Sequence, residues 1–205
     1  MEIRELSISG AWEVTPRQFP DDRGLFLEAY KSTVFTEAIG HALDVRQVNT
    51  SVSKAGTVRG IHYAQVPPSQ AKYVMCTRGA VLDFAIDIRL GSPTFGQYDT
   101  VLLDDVDRRA IYLSEGLGHM FVALEDNSTV TYLCSAEYNP GREHGINPLD
   151  STLAIDFPVQ GRDGSPLELL LSPKDTEAPS LEEIEAAGLL PTWEECQAFI
   201  ASLHE

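Results

Sequence analysis

The stretch VRGIHYAQVPPSQAKYV, residues 58–74, gathers Arg59, His62 and Lys72 in a chain that is otherwise strongly acidic. An imidazole titrating near neutrality can take a proton from carbon, and a neighbouring ammonium can hold the oxyanion that results. A second histidine, His119 in EGLGHMF, also follows a glycine-bearing turn and opens an apolar run. TVTYLC adds Tyr132, which shares a strand face with Val130 and Cys134 and so can point into the same cavity. Base, oxyanion holder and hydroxyl acid are together what removing and returning a proton beside a ketone requires. Each residue also has a plainer use: a histidine among apolar residues commonly serves as a hydrogen-bonded structural group, and a strand tyrosine as packing.

Metal binding competes for the same histidines. The spacing argues against it, because there is no H-x-H pair, no Glu follows His62 or His119 by four or five residues, and Lys72 would bring a repelling cation. No metal is expected.

The chain has 205 residues, 31 acidic and 15 basic, for a net charge of −16. That field repels nucleic acid, so an anionic ligand must be drawn by a local basic pocket. No apolar run approaches the roughly eighteen residues a bilayer span needs, so no membrane partner is expected. Glu2 and Glu5 stand where a signal peptide would carry lysines, which makes the cytoplasm the expected location. Cys76, Cys134 and Cys196 are odd in number and widely spaced, and reduced, buried thiols are expected.

Short strands punctuated by turns must position these groups, and their spacing predicts a mainly β sandwich or barrel. In VLDFAIDI, residues 81–88, Leu82, Phe84, Ile86 and Ile88 share one face, while Val81, Asp83, Ala85 and Asp87 share the other. This alternation predicts a half-buried strand. KYVMCT precedes it across Arg78-Gly79, so residues 72–88 read as a hairpin. Further strands are expected at 99–103, 109–113, 119–124 and 129–134, with a loop-rich region after them. Ser180 with Glu183, and Thr192 with Glu195, have capping-box spacing and predict two C-terminal helices, the first stopping at Gly188. Trp193, Cys196, Phe199, Ile200 and Leu203 share one face of the second, expected to pack on the sheet or on a partner subunit. One domain over 1–205 is expected, with a helical extension from about 180.

Longer motifs carry more information than any of these spacings. VTPRQFPDDRGLFLE, RGIHYAQVPPSQAKYV, GSPTFG, YLSEGLGHMFVALEDNSTVTYLCSAEYNP, LSPKD and GLLPTWEECQAFI, in this order, closely resemble the dTDP-4-dehydrorhamnose 3,5-epimerases of actinobacterial type. The resemblance covers essentially the whole chain. It implies a cupin-type β-sandwich or jelly roll with C-terminal helices, working as a homodimer whose N-terminal strands join the partner's sheet. It also implies a metal-free enzyme without a cofactor, inverting C3 and C5 of dTDP-4-dehydro-6-deoxy-D-glucose in dTDP-L-rhamnose synthesis.

Carried over by position, the resemblance implies that His62 is the general base paired with Asp175, that Lys72 steadies the O4 enolate, and that Tyr132 is the acid on the opposite face. It implies substrate contacts from Arg23, Glu28, Gln47, Asn49, Arg59, His119, Glu143 and Lys174, with Tyr138 as a flat surface for thymine or sugar. Without it, Arg23 in DDRG and Glu143 in GREHG read as ordinary loop charges. Met120 stands where many members have glycine, so a bulkier wall is expected beside His119. Alternatives of the same chemistry are a mono-epimerase acting at C3 or C5 alone and a 3,4-ketoisomerase. A nucleotide-sugar binding module and a metal-dependent cupin oxygenase lie outside it.

Overall fold

The computed structural model of the chain describes residues 1–204. In chain order its strands and helices are β1 (Glu2–Glu5), β2 (Ala11–Thr15), β3 (Gln18–Asp21), β4 (Gly24–Leu27), α1 (Ser32–Ile39), β5 (Gln47–Ser53), β6 (Val58–Ala64), β7 (Lys72–Arg78) and β8 (Ala80–Ile86). They continue as β9 (Tyr98–Asp104), β10 (Ala110–Leu113), β11 (Gly118–Ala123), β12 (Ser128–Cys134), β13 (Glu143–Gly145), α2 (Pro173–Thr176), α3 (Leu181–Ala186) and α4 (Trp193–Ser202). Two antiparallel sheets face each other, one ordered β1-β2-β10-β7-β12-β5 and the other β13-β6-β11-β8-β9. The expected β-sandwich with C-terminal helices is what forms, and no helix among the described residues is long and apolar enough to cross a membrane.

Alternating side chains divide the interior into three apolar layers. Val74, Cys76, Val81, Leu103, Ile111, Phe121 and Val130 meet between the sheets. Phe84, Ile86, Ile88, Met120 and Val122 point outward from the five-stranded sheet and are covered by Leu181 and Ile184 of α3. Tyr73, Tyr112 and Val14 lie on the outer side of the six-stranded sheet under Phe35 of α1. Each fully buried large side chain contributes about 1.5–3 kcal/mol, so both outer layers are as much core as the middle one.

Residues 81–88 are therefore buried on both faces instead of one, and their two acids need partners inside the protein. Asp83 meets His119, and Asp87 accepts from Arg89 Nε at 2.9 Å, Arg89 Nη2 at 2.8 Å and Thr94 Oγ1 at 2.6 Å. Burial works against the Asp87 charge, but the Arg89 hydrogen bonds and charge outweigh it and hold the pKa below the usual carboxylate value. The Arg89 guanidinium also sits 4.6 Å from the Trp193 ring, which fastens α4 to the sheet.

Residues 72–88 do not form the expected hairpin. β7 and β8 belong to different sheets, and Gly79, at φ 80°, turns the chain from one layer into the other. The Pro67-Pro68 connection makes the reverse crossing, so Lys72 approaches from the wall opposite His62. Met120 also departs from expectation. The strand period turns it into the outer layer, fully buried, and it adds nothing to the wall beside His119.

Both C-terminal capping boxes are closed, Ser180 with Glu183 and Thr192 with Glu195. Cys196 is fully buried on α4, while Leu203 at its end is exposed, and all three cysteines are free and buried. α1 lacked a sequence signal because its N-cap is Lys31, which makes no side-chain cap. α2 is a single turn, too short to show periodicity.

Glu115 is buried at 2% exposure, and its Oε2 has no hydrogen-bond partner among the described residues. Burial pushes its pKa up from 4.5 to about 6. A raised acid pKa adds stability that is fully present below the unfolded value and is lost as pH rises through the folded one. Glu115→Gln should therefore raise thermal stability at pH 8 by an amount equivalent to about 2 kcal/mol and leave it nearly unchanged at pH 4.5. Melting curves across that range check this, and an equal shift at both pH values would refute it.

Candidate active site

β6 and β11 pair His62 with His119 but Arg59 with Phe121, so three steps along β6 match two along β11. That extra residue is a β-bulge, and it brings Arg59 and His62 to the same face although they are an odd number of residues apart. Gly60 permits it. At φ 131°, a Cβ there would lie 2.5 Å from the His119 carbonyl oxygen and 2.7 Å from Met120 Cα. The compact RGIH motif thus delivers the Arg59 guanidinium and the His62 imidazole to one cleft.

The cleft opens between the sheets and encloses about 750 Å³, which lies within the usual range for small-molecule pockets. From the five-stranded sheet come Arg59, His62, His119 and Glu143. From the six-stranded sheet come Gln47, Asn49, Lys72 and Tyr132. Tyr138 stands exposed at the mouth, and Lys174 and Asp175 close one side from α2.

His62 Nε2 lies 2.9 Å from Asp175 Oδ1. Burial opposes the Asp175 charge, but hydrogen bonds from His62 and Ser172 prevail and hold its pKa below the usual range. The carboxylate is therefore ionised at neutral pH and accepts the Nε2 proton, which leaves Nδ1 as the basic nitrogen of His62. His119 Nε2 lies 3.0 and 2.9 Å from the two oxygens of Asp83. Burial raises the Asp83 pKa, and the His119 and Lys72 charges oppose that rise.

Lys72 opens β7 on its inward face, across from Cys134. It is buried, and the loss of hydration lowers its pKa against the pull of Cys134, Glu143 and Asp83. Tyr132 lies two residues before Cys134, across from Asn49, and burial raises its pKa. A half-buried phenol of this kind carries its proton at neutral pH. Gln47 Nε2 donates to Asn49 Oδ1 at 2.8 Å, and its own carbonyl oxygen accepts from the Tyr138 amide at 2.9 Å. Glu143 Oε1 accepts from the Asn139 amide at 3.2 Å. Arg59 reaches across the gap, where Nε donates to Ser53 Oγ at 3.1 Å and Nη2 to the Val52 carbonyl at 3.4 Å.

Arg23 and Glu28 lie elsewhere. Arg23 stands at the tip of the β3–β4 hairpin, its side chain 89% exposed and paired with Asp21 at 2.7 Å. Glu28 pairs with Lys31 at 3.2 Å, and neither residue lines the cleft. Asp83 and Ser172 belong to the site but escaped the sequence reading. Asp83 stood on the face of VLDFAIDI opposite its apolar residues, which alternation alone assigns to solvent, while Ser172 was visible as the cap of an S-x-x-D pattern in LSPKD. Among the described residues, no three or more His, Cys, Asp or Glu side chains are grouped to hold a metal ion.

His62 and Tyr132 thus project from opposite sheets into one space, with Lys72 on the same sheet as Tyr132. A planar carbanion held there would meet a base on one face and an acid on the other.

The chain is similar to known proteins along nearly its whole length. The family model described as dTDP-4-dehydrorhamnose 3,5-epimerase matches residues 5–183. The dTDP-4-dehydrorhamnose 3,5-epimerase of Mycolicibacterium smegmatis is 60% identical over 203 residues, 99% of this chain and 97% of the relative. The solved structure of the RmlC epimerase of Mycobacterium tuberculosis superposes with a TM-score of 0.94 at 59% identity, covering 99% of this chain and all of that one. ChmJ, a 3'-monoepimerase from Streptomyces bikiniensis solved in complex with dTDP-quinovose, gives a TM-score of 0.91 at 45% identity, covering 97% and 98% of the two chains. The protein therefore belongs to the dTDP-4-dehydrorhamnose 3,5-epimerase family.

Proposed function

We propose that this enzyme inverts both C3 and C5 of dTDP-4-dehydro-6-deoxy-D-glucose, giving dTDP-4-dehydro-L-rhamnose. The observation that carries the reading is the placement of His62 and Tyr132 on opposing sheets across the cleft. The C4 ketone makes the hydrogens on C3 and C5 acidic, so one base can serve both centres. His62 Nδ1 takes the proton, and Asp175 steadies the imidazolium that forms. The negative charge moves onto O4, where Lys72 holds it in surroundings from which water is largely excluded. Tyr132 then returns a proton from the other face. Inversion needs two groups, because a single residue doing both jobs would restore the starting centre.

The remaining contacts follow from chemistry and position. The Arg59 fork, aligned by Ser53 and the Val52 carbonyl, suits the diphosphate, and Lys174 adds charge at the same opening. His119, Gln47, Asn49 and Glu143 offer hydrogen bonds to sugar and base, and Tyr138 offers a ring at the mouth. Inversion at C3 alone is a second reading, favoured by the close fold match to a 3'-monoepimerase.

The working form in this proposal is a homodimer. β3 and β4 pair only with each other among the described residues, and their hairpin exposes Phe19 at 42%, Leu25 at 41% and Phe26 at 66%. β5 ends its sheet with Val48 and Val52 also exposed. Seating the hairpin on a second copy would bury these surfaces and carry Arg23 and Glu28 toward the partner's cleft, which their distance from their own requires.

In D2O, with a chelator present, the enzyme should exchange hydrogen for deuterium at both C3 and C5 of the 4-keto sugar nucleotide, followed by NMR. His62→Ala should abolish exchange at both carbons, and unchanged exchange in that variant would defeat the mechanism. Label at one centre only would establish the mono-epimerase reading. Sedimentation should show a dimer, and Phe19→Ser with Phe26→Ser should shift it to monomer with loss of activity. A monomeric wild-type enzyme with full turnover would overturn the dimer.

A further inference from the structure

Asp175 reaches His62 from α2, a helix of only one turn, and such a short element does not by itself hold a carboxylate in one orientation. Ser172 supplies the missing constraint. It caps the turn in extended backbone, φ −78° and ψ 153°, and its Oγ accepts from the Asp175 amide at 3.1 Å. The same hydroxyl donates to Asp175 Oδ2 at 2.7 Å, while Oδ1 faces His62 Nε2 at 2.9 Å. Among the described residues, these are the two hydrogen bonds of that carboxylate, one to each oxygen. Asp175 is 6% exposed, so water is not freely available to replace either.

We propose that Ser172 is a positioning residue for proton abstraction, locking the Asp175 carboxylate so that the other end of the imidazole ring, Nδ1, faces the substrate. The inference rests on the acid–base roles assigned above to His62 and Asp175. The serine touches no reacting atom. Its hydroxyl proton is spent on Oδ2, which leaves Oδ1 as the acceptor for His62 Nε2–H and fixes the tautomer of the ring. Pro173, at the first position of the turn, restricts the backbone between cap and carboxylate. Together they make the SPKD segment a rigid unit with one charge aimed at β6.

The test is a double-mutant cycle on the full-length enzyme, reading kcat and KM for epimerisation of the 4-keto sugar nucleotide. Ser172→Ala should lower kcat by about tenfold or more with KM within about twofold, as misplacement of a catalytic group does. Ser172→Thr, which keeps cap and hydroxyl, should recover most of the loss and gives a folded control. In the Asp175→Asn background, adding Ser172→Ala should cost less than about twofold, because the serine acts only through the carboxylate. The same loss in both backgrounds would reduce Ser172 to a helix cap and overturn the proposal, as would wild-type kcat in Ser172→Ala beside an impaired Asp175→Asn. Wild-type kcat in Asp175→Asn would instead remove the role of Asp175 itself, and this inference with it.

Discussion

One extra residue in β6, opposite the segment between His119 and Phe121, sets the geometry on which the rest of the site depends. Without that bulge, strand alternation would send Arg59 and His62 to opposite faces, one into the cleft and the other into the outer layer. Only glycine fits at position 60, where the backbone of β11 passes too close for a Cβ. His62 and the Arg59 guanidinium can therefore share a wall, and the opposite wall is left for Lys72 and Tyr132. Separating the groups by sheet gives each side chain a rigid support and leaves the cleft between them.

The charge distribution follows the same division. A chain of net charge −16 concentrates Arg59, Lys72 and Lys174 around one opening. Buried carboxylates balance part of this density: Asp83 lies against His119 and near Lys72, and Asp175 lies against His62. Arg59 is held by Ser53 and the Val52 carbonyl, so in the proposed function a dianionic nucleotide sugar would meet that guanidinium already oriented.

Much of this was legible in the sequence, and the exceptions have physical reasons. Strand periodicity identified β8 through β12, and two capping boxes identified α3 and α4, because those signals are local. Pairing was not local. Arg78-Gly79 has the composition of a hairpin turn, yet it carries the chain between sheets, and no property of residues 72–88 alone distinguishes the two outcomes. The outward turn of Met120 required knowing which layer covered β11. Among site residues, His62, Lys72 and Tyr132 stood out by chemistry, whereas Arg23 and Glu28 were named by resemblance and lie at the tip of a hairpin and just past its second strand, outside the cleft of their own chain. Ser172 was readable as a cap but Asp83 only as an acid on the polar face of its strand, and their purpose is visible only where Asp83 meets His119 and Ser172 meets Asp175.

In the proposed mechanism opposite walls handle the two halves of the proton transfer, and one substitution separates them. Tyr132→Phe in D2O leaves the His62 wall intact and removes the acid from the other. Solvent deuterium should still enter C3 and C5 while configuration is largely retained, since the proton can return only from the side it left. Loss of exchange and of inversion by the same factor would contradict it.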